Sequence, residues 1–331
     1  MNDVLNRVAS VLERRFMLVL LLPMLIFVSA LVLLVTVTAG RWRAAVSGWG
    51  ALPGSLQFVF ILGYLATIWL LAGFLDSQLR NITQLFEGYQ LTNVMAGIAG
   101  RAQAWHRRKR RELTGATIRT ASPGGPEGDA SVAQPPAARP GFAEQLFVLY
   151  PAASAVMPTR LGNVIRAAED YSQSRYGANY LLVWPRLAHL CTERFVQDYE
   201  ISRAGVDFLL VVSTLSALFA VLGGLVVVIL NGAILLFVAV ILGGFGLSRL
   251  AYASAVDAAK EYGEQIRASV DLFRLELLRQ LRYPEPADPK RERAMWEDFD
   301  DLLRRGEQRR YRYASAPEPP PIPGSSGPRV P

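Results

Sequence analysis

The sequence has 331 residues, of which 51% are hydrophobic and 19% are charged, and its formal net charge is +7. The sequence has a single cysteine, Cys191, which excludes an intramolecular disulfide. It has only two histidines, His106 and His189, so a zinc site made of four His and Cys ligands is excluded as well. No Gly-rich phosphate loop, Ser/His/Asp set or metal-type carboxylate cluster is recognisable, so we expect no cofactor, no metal ion and no enzymatic activity.

Residues 1–75 predict an amphipathic N-terminal helix and a first transmembrane hairpin. Residues 1–15 place apolar side chains at helical spacing, which is typical of a helix lying on a membrane surface. The uncharged stretches 16–38 and 58–75 follow, each close to the ~20 residues that a bilayer crossing needs. We expect Pro23 to be tolerated in the first span and residues 39–57 to form a short connection.

Residues 206–250 predict a second transmembrane hairpin, with spans 206–229 and 233–250. No Lys, Arg, Asp, Glu or His occurs between Phe208 and Ser248, and Asn231-Gly232 is a strong turn signal between the two spans. Ion-coupled transporters normally keep a carboxylate, histidine or basic group inside their helix bundles. The interiors of the four predicted spans contain none, which argues against that function. Glycine pairs at 223–224 and 243–244 predict close helix packing.

The distribution of positive charge predicts the orientation of these spans. Of the 35 Lys and Arg residues, only Arg41 and Arg43 lie between the first two spans. The positive-inside rule then places both termini and the central segment in the cytosol, in a multi-pass protein of the cytoplasmic membrane. The same asymmetry explains the net positive charge without a nucleic-acid partner.

The segments between and after the hairpins differ in composition. Residues 76–113 predict a cytosolic helix, continuous over 80–100, that ends in the basic run from His106 to Arg111; this run favours either an anionic-lipid contact or a simple topology anchor. Residues 114–141 predict a disordered linker. Residues 142–205 predict a small, mainly helical cytosolic domain with an α+β alternative, because 146–151 and 180–184 resemble strands. Residues 306–331 predict a disordered tail.

Several short motifs lie in the non-membrane segments. Those that share a pattern are Pro158-Thr159-Arg160-Leu161-Gly162-Asn163, Glu169, Arg175-Tyr176-Gly177 and Trp184-Pro185-Arg186-Leu187, together with Glu87-Gly88-Tyr89 and Asp271-Leu272-Phe273-Arg274. In these motifs the chain resembles a family of uncharacterised bacterial multi-spanning membrane proteins. The resemblance implies architecture and assigns no catalytic residue. Independently of it, Thr159 is a predicted helix N-cap and Gly177 a predicted helix stop.

The central domain contains one candidate anion or partner site. Its members are polar residues around the start of the predicted helix, where backbone N–H groups favour anions: Arg160, Asn163, Arg166, Glu169 and Arg175. In the alternative interpretation, Arg166 and Glu169 are an i,i+3 surface pair and Gly162-Asn163 is a structural turn.

Residues 251–305 predict a cytosolic helical region. Val256, Gly263, Val270 and Leu277 recur every seven residues, and a companion row follows them at 259, 266 and 273. This pattern favours either a coiled coil between copies of the chain or packing against the chain's own central domain. A short amphipathic helix around Trp296 completes the region.

The sequence therefore predicts an all-α membrane protein with four transmembrane helices in two hairpins and a small cytosolic domain between them. The function it favours is that of a scaffold or regulatory protein, with a homo-oligomer or a cytosolic protein as partner. One alternative is an oligomeric pore lined by Ser213, Thr214 and Ser216. Another is a membrane enzyme that acts on lipid or phosphate groups through Arg160, Arg166 and Glu169.

Overall fold

The computed structural model describes residues 15–121 and 141–306, and the regular structure in these residues is helical. A π-helical turn, Met17–Leu21, leads directly into α1. The α-helices in chain order are α1 (Leu22–Thr38), α2 (Trp42–Ala51), α3 (Gly54–Glu87), α4 (Tyr89–Val94), α5 (Ala96–Ala121), α6 (Gly141–Leu149), α7 (Arg160–Tyr176), α8 (Tyr180–Leu187), α9 (Glu193–Ile229), α10 (Ile234–Gln280) and α11 (Pro289–Arg305).

Four helical segments are long and apolar enough, by length and composition, to cross a membrane, as the sequence predicts. They are Met17–Thr38, Gly54–Glu87, Glu193–Ile229 and Ile234–Gln280. Their uncharged parts are 17–38, 54–75, 208–229 and 234–248. The charged part follows the uncharged part in the second and fourth segments and precedes it in the third. Asn231, with a positive φ of 51°, lies in the break between the last two segments, where a turn is predicted.

Pro23 explains the π-helical turn at the start of the first segment. A proline inside a helix removes one N–H donor and crowds the preceding turn. The helix widens over Met17–Leu21, and Leu22 N–H donates to the carbonyl of Met17, one residue further back than in an α-helix. The chain then continues as α-helix through Pro23, as expected.

The described chain forms two compact units. The first comprises residues 15–121, 141–171 and 192–268, and the second comprises residues 172–191 and 269–306. The predicted segment 142–205 is therefore divided between the two units. The predicted N-terminal helix, apart from Arg15, and the tail from residue 307 lie outside the described residues, as does most of the predicted linker.

Apolar contacts join the membrane-type helices of the first unit. One cluster combines Leu20, Ile68 and Val211, so the first segment, α3 and α9 pack together. Small residues bring α9 and α10 into close contact, because a Cβ added at Gly244 would lie 2.7 Å from Ala220 Cβ and 2.9 Å from the carbonyl oxygen of Ser216. This contact agrees with the packing role predicted for the glycine pairs.

A second apolar cluster lies on the charged halves of the same helices. Leu161, Val164 and Ile165 of α7 pack against Val206 and Leu210 of α9 and against Ala255, Val256 and Ala259 of α10. A Cβ at Gly263 would lie 3.2 Å from Ala168 Cβ, so the next member of the heptad row of α10 also contacts α7. The first part of this row therefore packs within the chain. This supports packing against the chain's own central domain over a coiled coil between copies of the chain.

Several local predictions are wrong. Residues 180–184 form α8 rather than a strand, because Tyr180, Val183 and Leu187 are buried at helical spacing although the residue types favour a strand. The strand alternative at 146–151 is wrong, because residues up to Leu149 belong to α6. The predicted connection 39–57 is not contradicted and contains the short helix α2. The predicted helix 80–100 breaks at Gly88, whose φ is +96°, and again at Met95. Helix α5 continues to Ala121, beyond the predicted linker boundary.

The second unit has its own buried core and polar contacts. Trp296 and Phe299 of α11 are buried, and their rings meet edge to face at 5.9 Å. Arg274 Nε donates to Glu292 Oε1 at 2.8 Å, and its guanidinium lies 4.1 Å from the centre of the Tyr176 ring. Tyr176 in turn donates to Asp271 at 2.7 Å. The predicted helix stop is confirmed at Gly177, where φ is +80°.

The glycine pair at 243–244 provides a matched test of helix packing. Gly244→Val should destabilise the protein by about 1–3 kcal/mol, because α10 would have to move away from Ala220. Gly243→Val is the control: it has the same helix propensity cost, but a Cβ added at Gly243 would meet nothing within 4 Å. Thermal unfolding in detergent measures the difference, and equal losses for both variants would contradict the packing contact.

Candidate functional site

A cleft of about 790 Å³ in the first unit is lined by α5, α7, α10 and the segment around Tyr150. Helix α10 contributes the wall that is continuous with its apolar part, because Gly246, Leu250 and Ala253 follow one another along the cleft. The opposite walls bear polar and aromatic side chains. The cleft therefore combines apolar, aromatic and charged side chains, and α10 contributes both apolar residues and the charged Arg249, Asp257 and Lys260.

The floor of the cleft is fixed by capping at the start of α7. Thr159 Oγ1 accepts from Gly162 N–H at 3.0 Å, which confirms the predicted N-cap, and donates to the carbonyl oxygen of Glu87 at 2.7 Å. The buried Asn163 donates to the carbonyl oxygens of Met157 and Thr159 at 2.9 and 2.7 Å and accepts from Met157 N–H. Asn163 therefore holds the turn before α7.

The same segment fits closely against the end of α3. A Cβ at Gly162 would overlap the carbonyl oxygen of Glu87, and a Cβ at Gly88 would lie 2.5 Å from Pro158. Two of the short motifs singled out in the sequence, Glu87-Gly88-Tyr89 and Pro158 to Asn163, are thus in direct contact. Their glycines allow the backbones to approach each other.

Two arginines of the cleft have no ion-pair partner within residues 15–121 and 141–306. Arg160 is exposed at the start of α7, and Arg249 is exposed just after the apolar part of α10, with its guanidinium 5.9 Å from the Tyr252 ring centre. The two lysines of the cleft, in contrast, have carboxylate partners: Lys260 lies 2.6 Å from Asp257, and Lys109 lies 3.7 Å from Glu112. The unpaired positive charge of the cleft is therefore arginine.

His106 does not contribute to this positive charge. The residue is 5% exposed, and its Nδ1 lies 3.1 Å from the hydroxyl of Tyr150. Burial lowers the pKa of His106, and the positive charge of Arg160 lowers it further, so the ring is neutral near pH 7. Burial raises the pKa of Tyr150. The pair is a neutral hydrogen-bonded wall of the cleft.

The basic run 106–111 is not a single positive surface. Arg110 Nε donates to the carbonyl oxygen of Pro151 at 2.9 Å, whereas Arg108 and Lys109 both lie near Glu112. With His106 buried and neutral, the members of the run have separate environments. Only Lys109 and His106 of the run line the cleft.

Arg166 and Glu169 lie on another side of α7. Their side chains form the i,i+3 ion pair of the alternative interpretation at 3.2 Å, and both lie close enough to Tyr89 to affect the pKa of its phenol, which burial raises and which Glu169 raises and Arg166 lowers. Glu169 is largely buried, which raises its pKa despite the opposing charge of Arg166. The pair is therefore part of the packing between α7 and α4.

The predicted anion site is thus divided by the structure. Arg160 lines the cleft, Asn163 holds a turn beneath it, and Arg166 with Glu169 packs against Tyr89. Arg175 belongs to the second unit, where its carbonyl oxygen accepts from Arg293 at 3.2 Å. The five residues do not converge on one point within the first unit.

Sequence reasoning missed a buried ion pair at the start of the uncharged part of α9. Asp207 is 5% exposed, and its Oδ2 accepts from Arg15 Nη2 at 2.5 Å. Arg15 also lies 3.6 Å from Glu200, two turns earlier on the same helix. The signal in the sequence was a lone carboxylate next to an uncharged stretch, at helical spacing from the buried Leu210 and Val211.

No protein-family model, no curated protein and no solved structure matches this chain. The resemblance to a family of bacterial membrane proteins therefore stays a prediction. Among residues 15–121 and 141–306, no group of three or more His, Cys, Asp or Glu side chains is placed to hold a metal ion.

The contact between Gly162 and Glu87 predicts a large effect of the smallest substitution. Gly162→Ala should lower the free energy of unfolding by at least about 2 kcal/mol, because the new methyl group meets a backbone oxygen that cannot rotate away. Gly97→Ala in α5, where nothing lies within 4 Å, is the control and should leave stability unchanged or slightly raised. Unfolding of the purified proteins in detergent compares them; a tolerated Gly162→Ala would refute the contact.

Glu87, beyond the uncharged part of α3, predicts a pH dependence. Burial raises its pKa to about 7, with repulsion from Glu169 and Asp207 adding to the effect and Arg203 opposing it. The folded protein then retains a proton that the unfolded chain releases above its ordinary pKa of 4.5. The free energy of unfolding should therefore fall as pH rises from about 4.5 to about 7.

Glu87→Gln should flatten this fall, because a neutral amide does not titrate. Thermal unfolding at about pH 5 and about pH 8 measures the slope, and the exposed Glu261→Gln provides a control that should keep it. A slope of the same size in the Glu87→Gln protein would show that another group causes the dependence.

Proposed function

We propose that the chain is an integral protein of the cytoplasmic membrane whose four apolar helices cross the bilayer as two hairpins. Both termini and the charged helical portions then lie in the cytosol. The protein works by interaction, as a scaffold or regulatory protein, rather than by catalysis. The proposal is supported by charge asymmetry along the sequence and by the way in which the charged helices are attached to the apolar ones.

The attachment of the cytosolic portion is the observation on which the proposal depends. Helices α9 and α10 have apolar parts that continue without a break into charged parts, and those charged parts hold α7 in a buried core. A surface on this core is therefore fixed with respect to the bilayer instead of being tethered by a loop. Arg160 and Arg249, which have no ion-pair partner among the described residues, are presented on such a surface.

The pore and enzyme alternatives have less support. Ser213 is buried, and its hydroxyl donates to the carbonyl oxygen of Ser248 at 3.0 Å, whereas Thr214 donates to Leu210 within its own helix. Two of the three hydroxyls of the predicted pore lining therefore have hydrogen-bond partners inside the chain. Arg160 lies apart from Arg166 and Glu169, so the residues of the proposed enzyme site are not assembled. The interaction function is the one we retain.

Cysteine accessibility tests the proposed orientation. In a Cys191→Ser background, Ser47→Cys and Asn231→Cys should react with a membrane-impermeant maleimide in intact cells, because both exposed positions fall on the external side. Arg108→Cys should react only after permeabilisation. Labelling of Arg108→Cys in intact cells would overturn the orientation and with it the cytosolic interaction surface.

Proximity labelling tests the interaction function itself. A labelling enzyme fused to the C-terminus should enrich a reproducible set of cytosolic or membrane proteins, compared with the same enzyme on an unrelated four-span protein. The absence of any enrichment above that control would count against a scaffold or regulatory protein.

A further inference from the structure

One exposed face of α10 runs from its apolar part directly into the cleft. Leu235, Leu242, Arg249 and Val256 are spaced seven residues apart, so they share a helix face. Leu235 and Leu242 are 78% and 67% exposed, and Leu250 beside Arg249 is 65% exposed. These leucines form an apolar stripe that ends at an arginine.

The lining of the cleft, into which the stripe leads, is strongly cationic. Four cations line it, Lys109, Arg160, Arg249 and Lys260, and the only carboxylate among its lining residues is Asp257. Asp257 is already paired with Lys260. No carboxylate of the described chain therefore pairs with the two arginines, and their positive charge is left without a counter-ion.

The chemistry of the two arginines favours a phosphate group. A guanidinium presents its N–H donors in a planar fork that matches phosphate oxygens, and such charge-assisted hydrogen bonds are stronger than neutral ones. The rim of the cleft also bears Trp105, which is 52% exposed and belongs to the residue type that lies at membrane–water interfaces.

We infer that this cleft binds the headgroup of one anionic glycerophospholipid, with the phosphate at Arg160 and Arg249 and an acyl chain along the part of the stripe nearest the cleft, at Leu242 and Leu250. The inference rests on the proposed function, because the stripe must face lipid. Basic pockets at the cytosolic end of transmembrane helices are suited to such headgroups.

The apolar stripe distinguishes a lipid from a soluble anion. A free phosphate would use the arginines but would leave the leucines without a role, whereas a phospholipid covers both surfaces with one molecule. The charge of the cleft distinguishes an anionic headgroup from a zwitterionic one. A choline ammonium in the cleft would meet the uncompensated arginines, while an additional negative group such as a serine carboxylate would be attracted to them.

Native mass spectrometry of the full-length protein in detergent tests this inference with added phosphatidylglycerol, phosphatidylcholine or inorganic phosphate. The wild-type protein should retain one phosphatidylglycerol in preference to phosphatidylcholine, and phosphate in excess should not displace it. Arg160→Gln with Arg249→Gln should weaken that retention about tenfold or more, because each lost cation removes a favourable contact with the headgroup.

The control removes the same amount of charge from a surface of α5 outside the cleft. Arg107→Gln with Arg108→Gln alters two exposed cations that do not line the cleft, so retention should stay at the wild-type level. Equal weakening by both pairs would show a diffuse charge effect and overturn the site. Displacement by inorganic phosphate would identify a soluble anion as the ligand and also overturn it.

A second measurement covers the case in which the double variant does not fold. Phosphatidylglycerol that carries a diazirine on its acyl chain should crosslink the wild-type protein in vesicles at the α10 face near Leu242 and Leu250. Crosslinks confined to other helices would refute the inference. Cysteine labelling distinguishes the two failures, because the orientation of Asn231→Cys and Arg108→Cys does not depend on lipid binding in the cleft.

Discussion

The structure of the first unit depends on the contact between the end of α3 and the start of α7. The carbonyl oxygen of Glu87 receives the Thr159 hydroxyl, and Gly162 brings the α7 backbone against the same oxygen. The last carbonyl groups of a helix have no partners inside the helix, and burying such a group unpaired costs free energy. The hydrogen bond from Thr159 avoids this cost for the carbonyl group of Glu87. It also joins an apolar helix to the polar part of the unit at a defined point.

Helix α7 then determines what lies on each side of it. Its apolar face is buried against α9 and α10, and this fixes its rotation about its own axis. Arg160 is thereby directed to the cleft, whereas Arg166 and Glu169 pack with Tyr89. Residues that are close in sequence are separated in function by the helical repeat, which is why a sequence cluster of polar residues did not become one site.

The sequence predicted those features that depend on composition or on a single local interaction. The four apolar segments follow from the length of the uncharged stretches, and the roles of Thr159, Gly177 and Asn231 follow from capping and positive-φ preferences. The sequence did not predict α8, because its Tyr-Leu-Leu-Val-Trp run favours a strand and only tertiary burial selects the helix. The cleft could not be predicted, because its walls come from segments distant in sequence.

The buried charges show how the charged halves of the helices are tolerated next to apolar ones. Asp207 stands at the last turn before the uncharged part of α9, and Arg15 stands at the corresponding point before α1, so that each compensates the other's charge where water is scarce. Glu87 has no ion-pair partner within residues 15–121 and 141–306, and burial instead favours the protonated form of its carboxyl group. Arg160 and Arg249 differ from both: they remain exposed and charged, without a counter-ion in the described chain. A charge that the protein neither pairs nor buries can be compensated from outside it, and the apolar stripe beside Arg249 favours a ligand that is itself part of the membrane.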